Sequence, residues 1–269
     1  MLEKGWPANE APEGEHELPL QVAAASNQPE IVQMLIGFGA HPDSAHGVLS
    51  PLWAAIDQEA EAAAVALLDA GARPDGPRRN GFVPLVEAVV LGQEKVVAAL
   101  IRNGAEVNPA LPKDRPLGEA VVAGNVALVR LLLDLGADPK LPDAAGDPPL
   151  FPAFGLDSLE IAEALLKRGA VINQALENGW TLAFLGDEIP LPNMRKAVEW
   201  GLDLEIKDNW GDTPLHHAVV HNLGNAAKKL LILGANPKAI NAKGQSVLRA
   251  AQAGNHPEMV EILKKKPGK

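Results

Sequence analysis

The chain has 269 residues, 47% of them hydrophobic but only 4% aromatic and none Tyr, so its core must come mainly from Ala, Leu, Val and Ile. A formal charge of −10 opposes binding to nucleic-acid phosphates or anionic lipid and favours a basic partner. Zero cysteines exclude a disulfide framework, a thiolate zinc site and a cysteine nucleophile together.

The chain opens with MLEKGWPANEAPEGEHELPL, which carries five glutamates before Leu20 and no apolar run of signal-peptide length. Residues 1–13 read as a leader and the protein as cytoplasmic. No later window approaches 18 uncharged apolar residues, so no membrane span is expected.

From Leu18 onward a short pattern recurs: LPLQVAAA, SPLWAAI, VPLVEAV, RPLGEAV, PPLFPAF, WTLAFLG, DTPLHHAV and SVLRAAQ. Its leucines fall at Leu20, Leu52, Leu85, Leu117, Leu150, Leu182, Leu215 and Leu248, always 32 or 33 residues apart. The third residue after each is Ala in seven of the eight copies, which predicts a first helix whose small apolar stripe admits a close neighbour. Pro at the first helical position lacks an amide that would be unpaired anyway, and Ser50 or Thr213 before it can cap the free amides. The same role is expected of Thr181 and Ser246.

A second helix is predicted after each first one. Apolar pairs one turn apart mark it, as in Val96 and Val97 with Leu100 and Ile101, or Leu128 and Val129 with Leu132 and Leu133. Glycine follows the anchoring leucine by 19 positions in seven copies, from Gly39 to Gly234, where it can take the left-handed conformation and end the helix. Segments such as AEVNPALPKDR and ANPKAINAKGQS are too polar and proline-rich to extend either helix and are expected to project as turns.

Two copies depart from the pattern. The fifth puts Pro152 and Gly155 inside its first helix, which should bend it; the sixth has Thr181 for Pro, Leu185 for Ala, and the insertion DEIPLPN after Gly186. Either decay or adaptation to a binding surface would produce that sixth copy. The glutamate-rich entry and lysine-rich exit suit polar caps.

This period, with its Thr-Pro-Leu-His helix start and Gly-Ala helix end, resembles the ankyrin repeat family. The copy with Asp208, Gly211, Thr213, Pro214, Leu215, His216, Ala218, Leu230, Leu231, Gly234 and Ala235 follows it best. The resemblance implies an all-α fold, a solenoid of helix-turn-helix units joined by projecting β-hairpin or turn loops. It implies a single domain over 14–269 with about eight repeats, near 14–45, 46–78, 79–110, 111–143, 144–175, 176–207, 208–240 and 241–269.

Chemistry-bearing groups are sparse. His217 and His221 share a helical face at a metal-site spacing, but no HExxH glutamate accompanies them and the one nearby carboxylate in sequence is Asp212. No metal and no cofactor is expected; contact with a partner is the functional role left for His217 and His221. Asp187 and Glu188 could be taken for acid and base in the irregular sixth copy, but adjacent residues seldom converge on one bond, and no apolar run suggests a pocket to raise either pKa. A non-enzyme is the reading, with a site at that copy as the remote alternative.

What remains is surface. The resemblance implies a concave face of loop tips and inner helices that grips other proteins, and positions five and six after each leucine lie on it: Asp57, Val90, Leu91, Asp187, Glu188 and His221. Arg79, Phe82, Trp210 and Asp212 fall at loop tips. Large apolar groups where water is expected, Phe82, Val90, Leu91 and Trp210, suggest partner anchors. Trp53, Trp180 and Trp200 read as packing. The expected function is a monomeric interaction module or scaffold for a protein partner; the alternative is an immunity or inhibitor protein that neutralises a basic toxin or enzyme.

Overall fold

The computed structural model describes residues 9, 17–44, 49–76, 82–156 and 158–264. The expected leader therefore lies outside the described residues except Asn9, as do Trp6 and Lys265, Lys266 and Lys269 of the basic exit. Among the described residues the regular structure is helical, and β-pairing is confined to isolated bridges such as Ile240 with Ser246. No helix there is long and apolar enough to cross a membrane. The chain divides into two compact units, Met1–Asp138 and Pro139–Lys269.

In the N-terminal unit four helix pairs follow one another: α1 (Pro19–Ala25) with α2 (Pro29–Gly37), α3 (Pro51–Asp57) with α4 (Glu61–Asp69), α5 (Pro84–Val90) with α6 (Glu94–Arg102), and α7 (Pro116–Val122) with α8 (Val126–Asp134). Every first helix starts at its predicted proline, and the Ser50 hydroxyl accepts from the Trp53 amide as a cap. First helices pack on first helices and second on second. The third-position alanines explain the closeness: Ala55, Ala88 and Ala120 are fully buried between neighbours, where a larger group would force the helices apart.

The C-terminal unit holds α9 (Leu150–Gly155) with α10 (Leu159–Lys167), a 3-10 turn (Leu182–Leu185) with α11 (Leu191–Glu199), α12 (Pro214–Val220) with α13 (Gly224–Ile232), and α14 (Val247–Ala253) with α15 (Pro257–Lys264). Pro152 falls in the first turn of α9, where the amide it lacks would have had no intrahelical partner, so a six-residue helix still forms. In the sixth copy the first helix is reduced to the 3-10 turn, consistent with its missing proline and its Leu185. Ser246 and Thr213 cap as predicted. Thr181 does not: its side chain is fully buried and its hydroxyl has no partner among the described residues. The helix start has moved one residue, so that Thr181 takes the cap position with its hydroxyl turned from the free amides.

Between the two helices of a pair the backbone turns through one residue of positive φ, seven after the anchoring leucine: Asn27, Glu59, Gly92, Gly124, Asn222 and Asn255. Gly and Asn suit that conformation; Glu59 does not.

Each first helix ends with carbonyls that its own turns cannot pair. In several copies the following pair supplies a donor. Gln93 Nε2 reaches the Ile56 carbonyl at 2.7 Å in the N-terminal unit, and Asn193 Nδ2 reaches that of Phe154 at 3.0 Å in the C-terminal unit. There His256 Nε2 also donates to Val220, and Lys229 serves the sixth copy.

Loops are tied likewise across one repeat. Asn108 donates to the Gly136 carbonyl and accepts from the Asp138 amide, and Asn173 does the same with Gly201 and Asp203. Asn9 repeats both bonds with Gly39 and His41.

The glutamates of the entry expected to cap the first pair lie outside the described residues apart from the exposed Glu17. Val22, Ile31 and Met34 on α1 and α2, and Phe38 just past α2, are 41–55% exposed. Ile31 stands at the register that is fully buried in later pairs, at Ala63, Val96 and Leu128, because there a preceding pair covers it.

Candidate functional site

In the N-terminal unit the candidate surface is the open side of the first helices. Position five after the leucine brings out Asp57 at the end of α3, Val90 at the end of α5 and Val122 at the end of α7; the valines are 51% and 57% exposed, and Asp57 is half-buried. Leu91, one residue on, is half-buried rather than open to water. Glu87 and Glu119, three residues before the valines and so on the same helical face, are half-buried. Phe82 precedes α5 and is 37% exposed, and Arg79 lies outside the described residues.

In the C-terminal unit the sequence of the tip fixes its shape. In the loops starting at Asp143, Asp208 and Asn241 the first side chain accepts two amides, two and four residues on. That pins the tip as a tight turn. Gly211 lies at φ 80 with the Ala242 methyl against it, so any side chain there would collide with the next tip. Trp210, on the backbone these constraints fix, is 60% exposed. Asp212 accepts from Asn241 Nδ2 at 2.7 Å.

Beside the tip, α12 presents the histidines. His216 is fully buried: Nε2 donates to the Gln245 carbonyl at 3.1 Å and Nδ1 accepts from the Thr213 hydroxyl at 2.8 Å, which fixes its tautomer. His217 and His221, one turn apart, bring their rings to 4.4 Å. His217 also meets Trp180 edge-on at 4.4 Å and Phe184 at 5.7 Å, and those two rings stack in parallel 5.7 Å apart. Burial, and then the neighbouring His221, push the His217 imidazole below its ordinary value, while Asp208 and Asp212 oppose the shift. Asp208 thus joins Asp212 as a carboxylate acting on His217.

Trp180 packs within this aromatic cluster, as expected, and stays half-exposed. Its sequence signal was weak because the irregular copy that carries it has no regular face. Trp53 is buried, and Trp200 meets Phe154 edge-on at 6.0 Å.

Asp187 and Glu188 are both exposed on the loop after the 3-10 turn. Lys229 from α13 shapes that loop, donating to the carbonyls of Gly186 at 2.9 Å, Asp187 at 3.3 Å and Ile189 at 2.8 Å. One ammonium does here what an amide side chain does in the regular pairs. Sequence spacing alone did not single it out. No group of three or more His, Asp or Glu suited to a metal ion occurs among the described residues.

Residues 20–110 match ankyrin repeats in three copies, and residues 210–242 match a further ankyrin repeat. The chain is 28% identical over 204 residues to the human SH3 and multiple ankyrin repeat domains protein 2, covering 74% of this chain and 11% of that protein. It is also 28% identical over 204 residues to the human ankyrin repeat and SOCS box protein 16, covering 70% and 44%. A third similarity, 30% over 142 residues, is to the phosphocholine transferase AnkX of Legionella pneumophila, covering 49% and 15%. The chain therefore spans less than half the length of each of these relatives.

Proposed function

Because the chain belongs to the ankyrin repeat family, we propose that it is a non-enzymatic interaction module that binds a partner protein with its first helices and loop tips. One observation carries this reading. The position five after the leucine holds an exposed valine in both units, Val90 and Val122 in one and Val220 in the other. Branched apolar groups repeated at one wet register gain nothing for the folded chain alone, and such patches mark interaction sites. Trp210 adds a large aromatic anchor of the kind that dominates interface energetics.

The test is affinity capture with the full chain, followed by titration of the captured partner. Trp210→Ala should weaken binding by about 2 kcal/mol or more while circular dichroism stays unchanged. Equal affinity would strike Trp210 from the surface, and equal affinity for a Val122→Ser, Val220→Ser variant as well would end the proposal. The charge of −10 supports a second reading, an inhibitor or immunity protein for a basic toxin or enzyme. Stoichiometric loss of the partner's activity on binding would distinguish it from a scaffold.

A further inference from the structure

The charge of this protein is not spread along it. Residues 1–138 hold 19 Asp and Glu against nine Lys and Arg, whereas residues 139–269 hold 15 of each. The whole net charge of −10 therefore belongs to the N-terminal unit.

The first helices sharpen this division. In α1, α3, α5 and α7 the ionisable side chains are Asp57, Glu87 and Glu119, without any Lys, Arg or His. In α9, the 3-10 turn, α12 and α14 they are His216, His217 and Arg249, without any Asp or Glu. Among the described cations of the N-terminal unit, Arg73 pairs with Asp43, Lys95 with Glu61 and Arg102 with Asp69. Arg115, at the opposite end of α7 from Val122, turns to the Pro109 carbonyl at 3.3 Å.

Glu87 with Val90, and Glu119 with Val122, thus form a repeating pair of one carboxylate and one exposed valine on consecutive first helices. Neither glutamate makes an ion pair among the described residues. Resting on the proposed interaction function, we infer that this face of the N-terminal unit takes a basic segment of a partner protein, its Lys or Arg side chains meeting Glu87 and Glu119 and its apolar ones covering Val90 and Val122. Packed helices lie about 8–10 Å apart, and an extended chain advances ~3.3 Å per residue. The segment that fits runs extended across the helices with a cation at every third residue.

The experiment is calorimetric titration of the full chain with synthetic peptides of about twelve residues. One has Arg at every third place with Leu and Ala between; a second replaces Arg by Glu; a third keeps Arg but replaces Leu and Ala by Ser and Gly. The first should bind, the second should not, and the third should bind at least about tenfold more weakly. Glu87→Gln with Glu119→Gln should weaken the first peptide by about tenfold, whereas Glu94→Gln with Glu106→Gln, exposed carboxylates off this face, should change it less than about twofold. Equal binding of the first two peptides, or equal loss in the two double variants, overturns the assignment of a basic ligand to this face; equal binding of the first and third overturns the apolar half of it. A partner captured through Trp210 that ignores Glu87→Gln with Glu119→Gln would overturn this inference and leave the interaction function standing.

Discussion

His217 shows how one side chain's surroundings become a property of the protein. Its imidazole is half-buried against Trp180 and Phe184 and lies beside His221, so the folded chain resists the proton that the unfolded chain accepts near 6.5. The contribution to stability is whole above that value and is lost as pH falls towards the depressed folded value. Urea midpoints should therefore fall on acidification from about pH 7 to about pH 5, and His217→Phe, which keeps the ring contacts, should flatten that fall. His221→Gln removes the second-largest cause and should raise the His217 value in an NMR titration; an unmoved value would remove His221 from the causes. The spacing of the histidines was legible in the sequence, but their aromatic neighbours were not, because Trp180 and Phe184 lie 37 and 33 residues before His217.

Among the elements, the turn inside each pair carries a local conflict that sequence period did not reveal. Glu59 occupies a left-handed conformation, φ 53, at the register where Gly92, Gly124, Asn27, Asn222 and Asn255 stand elsewhere. A residue with a long side chain is strained there by about 1 kcal/mol. Glu59→Gly should raise the stability of the chain by about 0.5–1 kcal/mol in a urea melt. A lower midpoint would mean that Glu59 makes a compensating interaction. The sixth copy shows the converse: its register lacks a helix-starting proline, yet Lys229 gathers the carbonyls of Gly186, Asp187 and Ile189 into a defined loop. Three bonds to one half-buried ammonium give the insertion a built arrangement.

For the molecule as a whole, stability comes from stacking, because a helix pair has an apolar side that it cannot bury alone. Leu132 on α8 is fully buried, and Leu132→Ala should cost about 2–5 kcal/mol by lost transfer energy and the cavity left behind. A urea melt indistinguishable from that of the unaltered chain would contradict a packed role. Charge is also a whole-molecule property: concentrated in the N-terminal unit, it gives that unit a long-range attraction for cations that the uncharged balance of residues 139–269 lacks.

The sequence by itself determined the period, the helix starts and ends, and the caps Ser50, Thr213 and Ser246, since these depend on residues at most a few places apart. It also placed Trp210 on an exposed tip, because the turn that holds it is local. Only the tertiary structure decided which side chains meet across a repeat: Trp180 with His217, Lys229 with the sixth-copy loop, and Gln93 with the carbonyl of Ile56. Those meetings join residues 37 to 43 apart, where no helical periodicity reaches and the separation is set by how one pair leans on the next. The same reason hid the apolar first pair, for Ile31 follows the pattern of its buried counterparts and differs only in having nothing described upon it.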